Sequence, residues 1–450
     1  MLLFLACQPI KIDSAVEDTT TEQNFSVSAE VSSLIPSVVT IQASSVYEGT
    51  IITSAFIGDT LLQSKPVFIP AEGSVSFPFL GIPEQTQTTL HFEFRGDETR
   101  TGDIEIETGS FSIPAPVLDA FSYTTNDVGY FMGTVFGTPE RLVIINTHGD
   151  IVWQTQQLDD DHGGIDSRIA RDGQSVYFNR FSKDKSIDSG AIHQIQWDGT
   201  SIRTIPTPLG HHVFTELPDG TLTFIALDPK DTEQYGPVCG DSIIEIAPDG
   251  TYKSIFTTWG VIPLYESDFF SSDFYVQGHD WTHTNFVEYF EATERYLISM
   301  ASTNMILEID REGTVYKKIG GQGARGFDYA VENPADIFAY PHAPQWNHRG
   351  ELLLMSTVGN NSHALAYEID DETKKLHKTW DYGGAYNYNL RHLGEIQQDE
   401  SFRLINWSTS GHMELQNPNG EIIWEIYSPL GLWFAQFSYL PALPGMENPQ

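Results

Sequence analysis

Three histidines stand at matching points of a repeating pattern. They are His212 in Gly210-His-His-Val213, His283 in Trp281-Thr-His-Thr-Asn285 and His342 in Tyr340-Pro-His-Ala-Pro344. Each precedes a segment that reads as a strand. If the repeats are equivalent in structure, equivalent positions face a common axis and the three imidazoles meet there. A neutral imidazole is an available nucleophile near pH 7, and its second nitrogen can pass a proton. Three such rings could also hold zinc, but no close-spaced pair such as His-any-His accompanies them. A metal site therefore ranks below a shared organic site, and neither metal nor cofactor is expected. For any one histidine, a hydrogen-bonded structural residue is the simpler account; the matching positions are what favour a shared site. The acidic run Asp159-Asp-Asp-His162 could suggest calcium, but a solvated loop explains it with less.

The elements that must position these residues are strands. Helical periodicity is almost absent, whereas period-two alternation recurs in Phe25–Val31, Thr89–Arg95 and Asp103–Thr108. Residues 25–115 hold several such runs and end at Pro114-Ala-Pro116, which suits a small immunoglobulin-like β-sandwich. Beyond it, a strand, an acidic or amide turn with glycine and a second strand recur six times. The copies are Leu142–Trp153, His193–Arg203, Ile243–Lys253, Ile306–Tyr316, Ala366–Leu376 and His412–Trp424. Asp-Gly and Asn-Gly supply the positive φ that tight hairpins need, and only the fifth copy lacks its glycine. The copies lie roughly 45–65 residues apart, as propeller blades do. Second hairpins lie between them, around Glu216–Phe224, Asn347–Met355 and Gln398–Asn406. Two hairpins per repeat predict an all-β chain: a six-bladed β-propeller over 116–450 behind the sandwich. The ring could close through Leu432–Tyr439 on the first blade, and Trp153, Trp380 and Trp424 would pack between blades.

Composition bounds the partners. With 61 acidic against 24 basic residues the net charge is −37, which disfavours nucleic acid and anionic membrane surfaces. Aromatic residues at 12% describe a folded chain with a large core. The opening Met1–Cys7, an apolar run with a small residue before cysteine, resembles the end of a bacterial lipoprotein signal. Residues 1–24 are accordingly expected to be a signal remnant and flexible linker. Cys7 would carry a lipid anchor, and the protein would be exported to the periplasm or cell surface. The other cysteine, Cys239, is then left without an intrachain partner, so no disulfide is expected.

From about residue 120 to 430 the chain resembles the bacterial arylsulfate sulfotransferase family in its propeller branch. The resemblance rests first on His283-Thr-Asn-Phe-Val287, followed by Tyr296-Leu-Ile-Ser299, Ile306–Asp310 and Lys318-Ile-Gly-Gly321. His211-His212 with Leu217-Pro-Asp-Gly220, and His342 with Gly350-Glu-Leu-Leu353 and Gly359-Asn-Asn361, match further elements. The resemblance implies transfer of a sulfuryl group from an aryl sulfate to a phenol, with no nucleotide donor (PAPS-independent). His342 would be the nucleophile that forms a sulfohistidine. His283 and His212 would stabilise charge or protonate the leaving phenolate, and Asn285, with His211, would bind the substrate. One departure stands out: Ala301 falls where the family carries a sulfate-clamping arginine. Losing one such transition-state contact costs on the order of 3 kcal/mol. Arg325 or Arg391 could substitute from a neighbouring loop. The alternative reading is a catalytically impaired or non-enzymatic propeller lipoprotein that binds a ligand or partner.

Overall fold

The computed structural model describes residues 24–449 apart from 125–128, 138–139, 156–161, 165, 183–189, 273, 385–387 and 391–392. Cys7, Asp159–Asp161 and Arg391 lie outside the described residues. Among those described there is no α-helix, only two single-turn 3₁₀ segments at Pro334–Asp336 and Ser408–Ser410. No helix is long and apolar enough to cross a membrane.

Residues 25–107 form two antiparallel sheets. One joins Phe25–Val31, Val39–Ser45 and Gly73–Phe79; the other is built around Gly49–Ile57, Gln87–Arg95 and Thr99–Glu107. Alternation in sequence becomes alternation in burial: Val39, Ile41 and Ala43 are buried while Thr40, Gln42 and Ser44 are not. Their apolar side chains share one cluster with Met132, Trp153 and Trp197 of the following region. Ser32 Oγ also donates to the Asp198 carbonyl across that junction, at 2.7 Å.

The rest of the chain makes six four-stranded antiparallel units, the blades of a propeller. Their innermost strands are Trp433–Leu440 in the first blade, Ser167–Ile169 in the second and Gly210–Glu216 in the third. Thr284–Phe290, His342–Trp346 and Glu395–Gln398 serve the fourth to sixth. Neighbouring blades touch in turn around a ring through their innermost strands or the strands next to them. Both chain ends of this region lock it. The C-terminal strand pairs with Tyr130–Phe136 inside the first blade, and Asp119–Ser122 pairs with Ile422–Tyr427 outside the sixth.

Each of the six repeated hairpins is the outer half of one blade. In the fifth, Lys374 takes the left-handed conformation (φ 55°) that glycine adopts elsewhere. Asp370 Oδ1 supports that turn by accepting from the amides of Glu372 and Thr373. A short strand, Tyr329–Val331, runs parallel to the outer edges of both the fourth and fifth blades and fuses them into one sheet of nine strands.

Tryptophans tie blades together. Trp153 Nε1 donates to the Trp197 carbonyl at 2.9 Å, and Trp424 Nε1 to the Thr147 carbonyl at 2.8 Å. Trp424 also stacks on Phe131 of the first blade, with centroids 3.9 Å apart. Trp380 instead lies under the Arg403 guanidinium. Phe437 is buried in the closing strand, its ring against Gly133, where a Cβ would meet it at 2.5 Å. Phe437→Ala empties that position, and its expected cost is about 3–5 kcal/mol of stability, read by urea unfolding. A loss under 1 kcal/mol would show that this contact does not hold the closing strand.

Candidate active site

Local backbone geometry aims the site residues. The inner strands of the third, fourth and fifth blades each carry an irregularity near their start. These fall between His211 and Phe214, Thr284 and Phe286, and His342 and Gln345. A bulge adds one residue to a strand and turns the adjoining side chain out of its alternating register. His212 (φ 57°), His283 (φ 48°) and Ala343 (φ 47°) adopt left-handed conformations there. Non-glycine residues hold such angles at a cost of about 1–3 kcal/mol each. Neighbouring blades pin them: the Asn179 amide donates to the His212 carbonyl, and Asn285 Nδ2 to the Pro341 carbonyl at 3.2 Å. The Ala301 amide donates to the His283 carbonyl at 3.0 Å.

These strands open on a cavity of about 440 Å³. His212, Asn285 and His342 line it together with Phe136, Leu390, Leu393, Glu395 and Trp433. Its size suits one aromatic ring with a substituent. His283 stands one ring behind, edge-to-face with His212 (5.1 Å between centroids) and enclosed by Phe269 and Phe274. His211 is not brought to the cavity. Its Nδ1 lies 2.7 Å from His212 Nδ1 and its Nε2 3.1 Å from Asp241 Oδ1, so it orients His212 from behind instead of touching a ligand there.

Two buried carboxylates back the histidines. Asp280 Oδ2 is 2.6 Å from His283 Nδ1. Asp241 holds His211 and also accepts from Thr282 Oγ1 at 2.6 Å and the Thr284 amide at 2.8 Å. Burial alone would raise the Asp241 pKa, but these donors outweigh it and lower it, so Asp241 is an anion. His342 differs, having no carboxylate partner. Its Nδ1 is 2.5 Å from the Gly394 carbonyl, which only accepts, so Nδ1 carries the proton and Nε2 the lone pair. Burial pulls its pKa down to about 4, the Gly394 bond opposes this, and His283 adds to the fall. The ring is therefore neutral at pH 7. Asn285 is fixed as well, its Oδ1 accepting from Ser299 Oγ at 2.5 Å.

Ala301 is buried, next to His283. Among the described lining residues there is no lysine or arginine. Arg325 is not among them; its guanidinium sits over the Tyr265 ring at 4.5 Å. No cluster of His, Cys, Asp or Glu suited to a metal ion occurs among the described residues. Cys239 is buried, and its thiol is pushed up to about 12 by burial and by Asp241 and Asp280, so it is not a nucleophile.

Sequence reasoning missed Asp241, Asp280 and Glu395. Asp280 lies only three residues before His283, a usable signal. Asp241 comes from the preceding blade, and Glu395 is one acidic residue among 61.

Fold and site together define a β-propeller with a histidine-lined axial cavity. Residues 117–333 match the family model of the arylsulfotransferases (ASST). The matched region contains His212, His283 and Asn285 and ends before His342. No curated protein matches in sequence. Similar solved structures include a Bacteroides caccae protein of unknown function, at 12% identity and TM-score 0.44, covering 69% of this chain and 97% of that one. A streptogramin B lyase is 14% identical with TM-score 0.40, covering 72% and 98%. A Bacteroides thetaiotaomicron protein of unknown function is 11% identical with TM-score 0.37, covering 91% and 99%.

Proposed function

We propose that the protein moves a sulfuryl group from an aryl sulfate ester to a phenolic acceptor through His342. The observation that carries this reading is a neutral, buried imidazole whose Nδ1–H is held by a carbonyl and whose Nε2 keeps its lone pair, in a cavity of aryl-sulfate size. Nε2 attacks sulfur; the N–S bond forms as the S–O bond to the aryl group breaks, giving a sulfohistidine and a phenolate, which takes a proton from an acid in the cavity. In the second half, the acceptor phenol gives its proton back to that group as its oxygen attacks sulfur, the N–S bond breaks and neutral His342 is restored.

The remaining residues position the donor. Transfer of this kind is mainly positioning and electrostatics, as for phosphoryl groups. Asn285 offers a fixed amide to a sulfuryl oxygen. His212, oriented by His211 and Asp241, presents its ring to the cavity, and His283, paired with Asp280, packs edge-to-face behind it.

The absence of lysine and arginine from the described lining favours a second reading, a propeller that binds an uncharged aromatic ligand without turning it over. One assay separates them: release of 4-nitrophenol from 4-nitrophenyl sulfate, with and without added phenol. Phenol-dependent turnover supports transfer, and none from folded protein with several donors supports binding. With transfer, the acid limb of the rate profile should fall near pH 4, where His342 protonates, instead of near the ordinary histidine value. A limb near 6.5 would remove His342 from the nucleophile's role.

A further inference from the structure

Glu395 begins the innermost strand of the sixth blade, one residue after the carbonyl that holds His342 Nδ1. It is 97% buried by its 3% exposure, yet it lines the same cavity as His342 and His212. One oxygen is committed: Oε1 accepts from the Phe437 amide at 2.5 Å and from Asn406 Nδ2 at 3.4 Å. No described group bonds Oε2, and the side chain lines the cavity. A carboxyl pinned by one oxygen and open to a ligand by the other is built for contact with substrate.

We infer that Glu395 is the proton-transfer residue of this site, giving its proton to the departing phenolate oxygen and taking one from the acceptor phenol. This rests on the transfer reading above. In the first half, the S–O bond breaks while the Glu395 O–H proton passes to the aryl oxygen, leaving a carboxylate and the sulfohistidine. In the second, that carboxylate takes the hydroxyl proton of the acceptor as its oxygen bonds to sulfur, and Glu395 is again an acid. Protons and electron pairs balance over the cycle.

Its surroundings keep the carboxyl protonated between turnovers. Burial raises its pKa to about 8, against the lowering effect of the Phe437 and Asn406 donors; Asp166 adds to the rise and Arg168 opposes it. Among the described lining residues the other titratable groups are His212 and His342. A neutral acid is also what an anionic sulfate can approach, whereas an ionised carboxylate there would repel it.

The test uses the full chain, Glu395→Gln and two donors. Glutamine keeps the acceptor for the Phe437 amide and the neutral charge, so the variant should fold; thermal melting checks this. 4-Nitrophenolate leaves without help, so E395Q should release about one 4-nitrophenol per protein and then stall with phenol present. With 4-methylphenyl sulfate, whose phenol is a poor leaving group, E395Q should be slower by about 10²–10⁴-fold. Glu395→Asp, which keeps an acid, should recover part of the rate. Wild type should lose the first half-reaction above about pH 8, and E395Q should not show that limb. E395Q turning over both donors at the wild-type rate overturns this inference and leaves the transfer reading standing. A folded E395Q with no burst also overturns it, because a proton donor is not needed for that donor. No turnover by the wild type removes the transfer reading and this inference together.

Discussion

Replacing His342 by alanine is expected to abolish sulfuryl transfer while leaving a folded protein. Removing a covalent nucleophile that works within an assembled site costs several orders of magnitude, and here at least about 10³-fold in kcat is expected. The residual rate would come from the cavity and Asn285 positioning the donor for direct attack by the acceptor. The stability change should be small by comparison. The substitution frees the Gly394 carbonyl from a buried hydrogen bond, which costs about 1–3 kcal/mol. It also removes a ring that is already neutral, so no buried charge is stranded. The measurement is acid-labile labelling of the protein by a ³⁵S-labelled aryl sulfate, together with steady-state turnover. Wild type should trap one label per chain in the absence of acceptor, and His342→Ala none. Label retained by His342→Ala would move the nucleophile to another residue, with His212 the next to test.

Asp280→Asn is expected to separate activity from stability in the opposite sense. Asp280 is fully buried, and its Oδ2 meets His283 Nδ1 at 2.6 Å. No described group bonds its Oδ1. A buried carboxylate with one bare oxygen is costly, and the asparagine amide removes the charge at nearly constant volume. Unfolding free energy should therefore hold or rise. His283, however, loses the carboxylate that orients it behind His212. A neutral replacement of a histidine-orienting aspartate costs on the order of 10²–10⁴-fold in kcat. Melting temperature and kcat measured on one preparation decide the matter. If both fall together, Asp280 is a structural brace; if kcat alone is unchanged, the reaction does not need Asp280 to orient His283.

Much of this architecture was legible in the residues because it is written locally. Period-two alternation and Asp-Gly or Asn-Gly turns identify a hairpin from about a dozen neighbours, which is why all six outer hairpins could be located. That the C-terminal strand closes the first blade was left open by the residues and is decided by its pairing with Tyr130–Phe136. Repetition also carried His212, His283 and His342 to the inner strands of successive blades. Other features were not written locally. The Tyr329–Val331 bridge depends on two blade edges that only folding brings together. His211 stands beside His212 in sequence and has the same chemistry. The bulge after it sends one ring to the cavity and the other to Asp241, two strands away in the same blade.

Ionisation lay furthest from the sequence. Nothing in its neighbours marks Glu395 as an acid that stays protonated to about pH 8, or His342 as a base that stays neutral to about pH 4. Residue type, spacing and repeat placed His212, His283 and His342 at the starts of three successive inner strands. Tertiary structure decided their charge, because desolvation and pairing sum over segments hundreds of residues apart, and no local pattern encodes that sum.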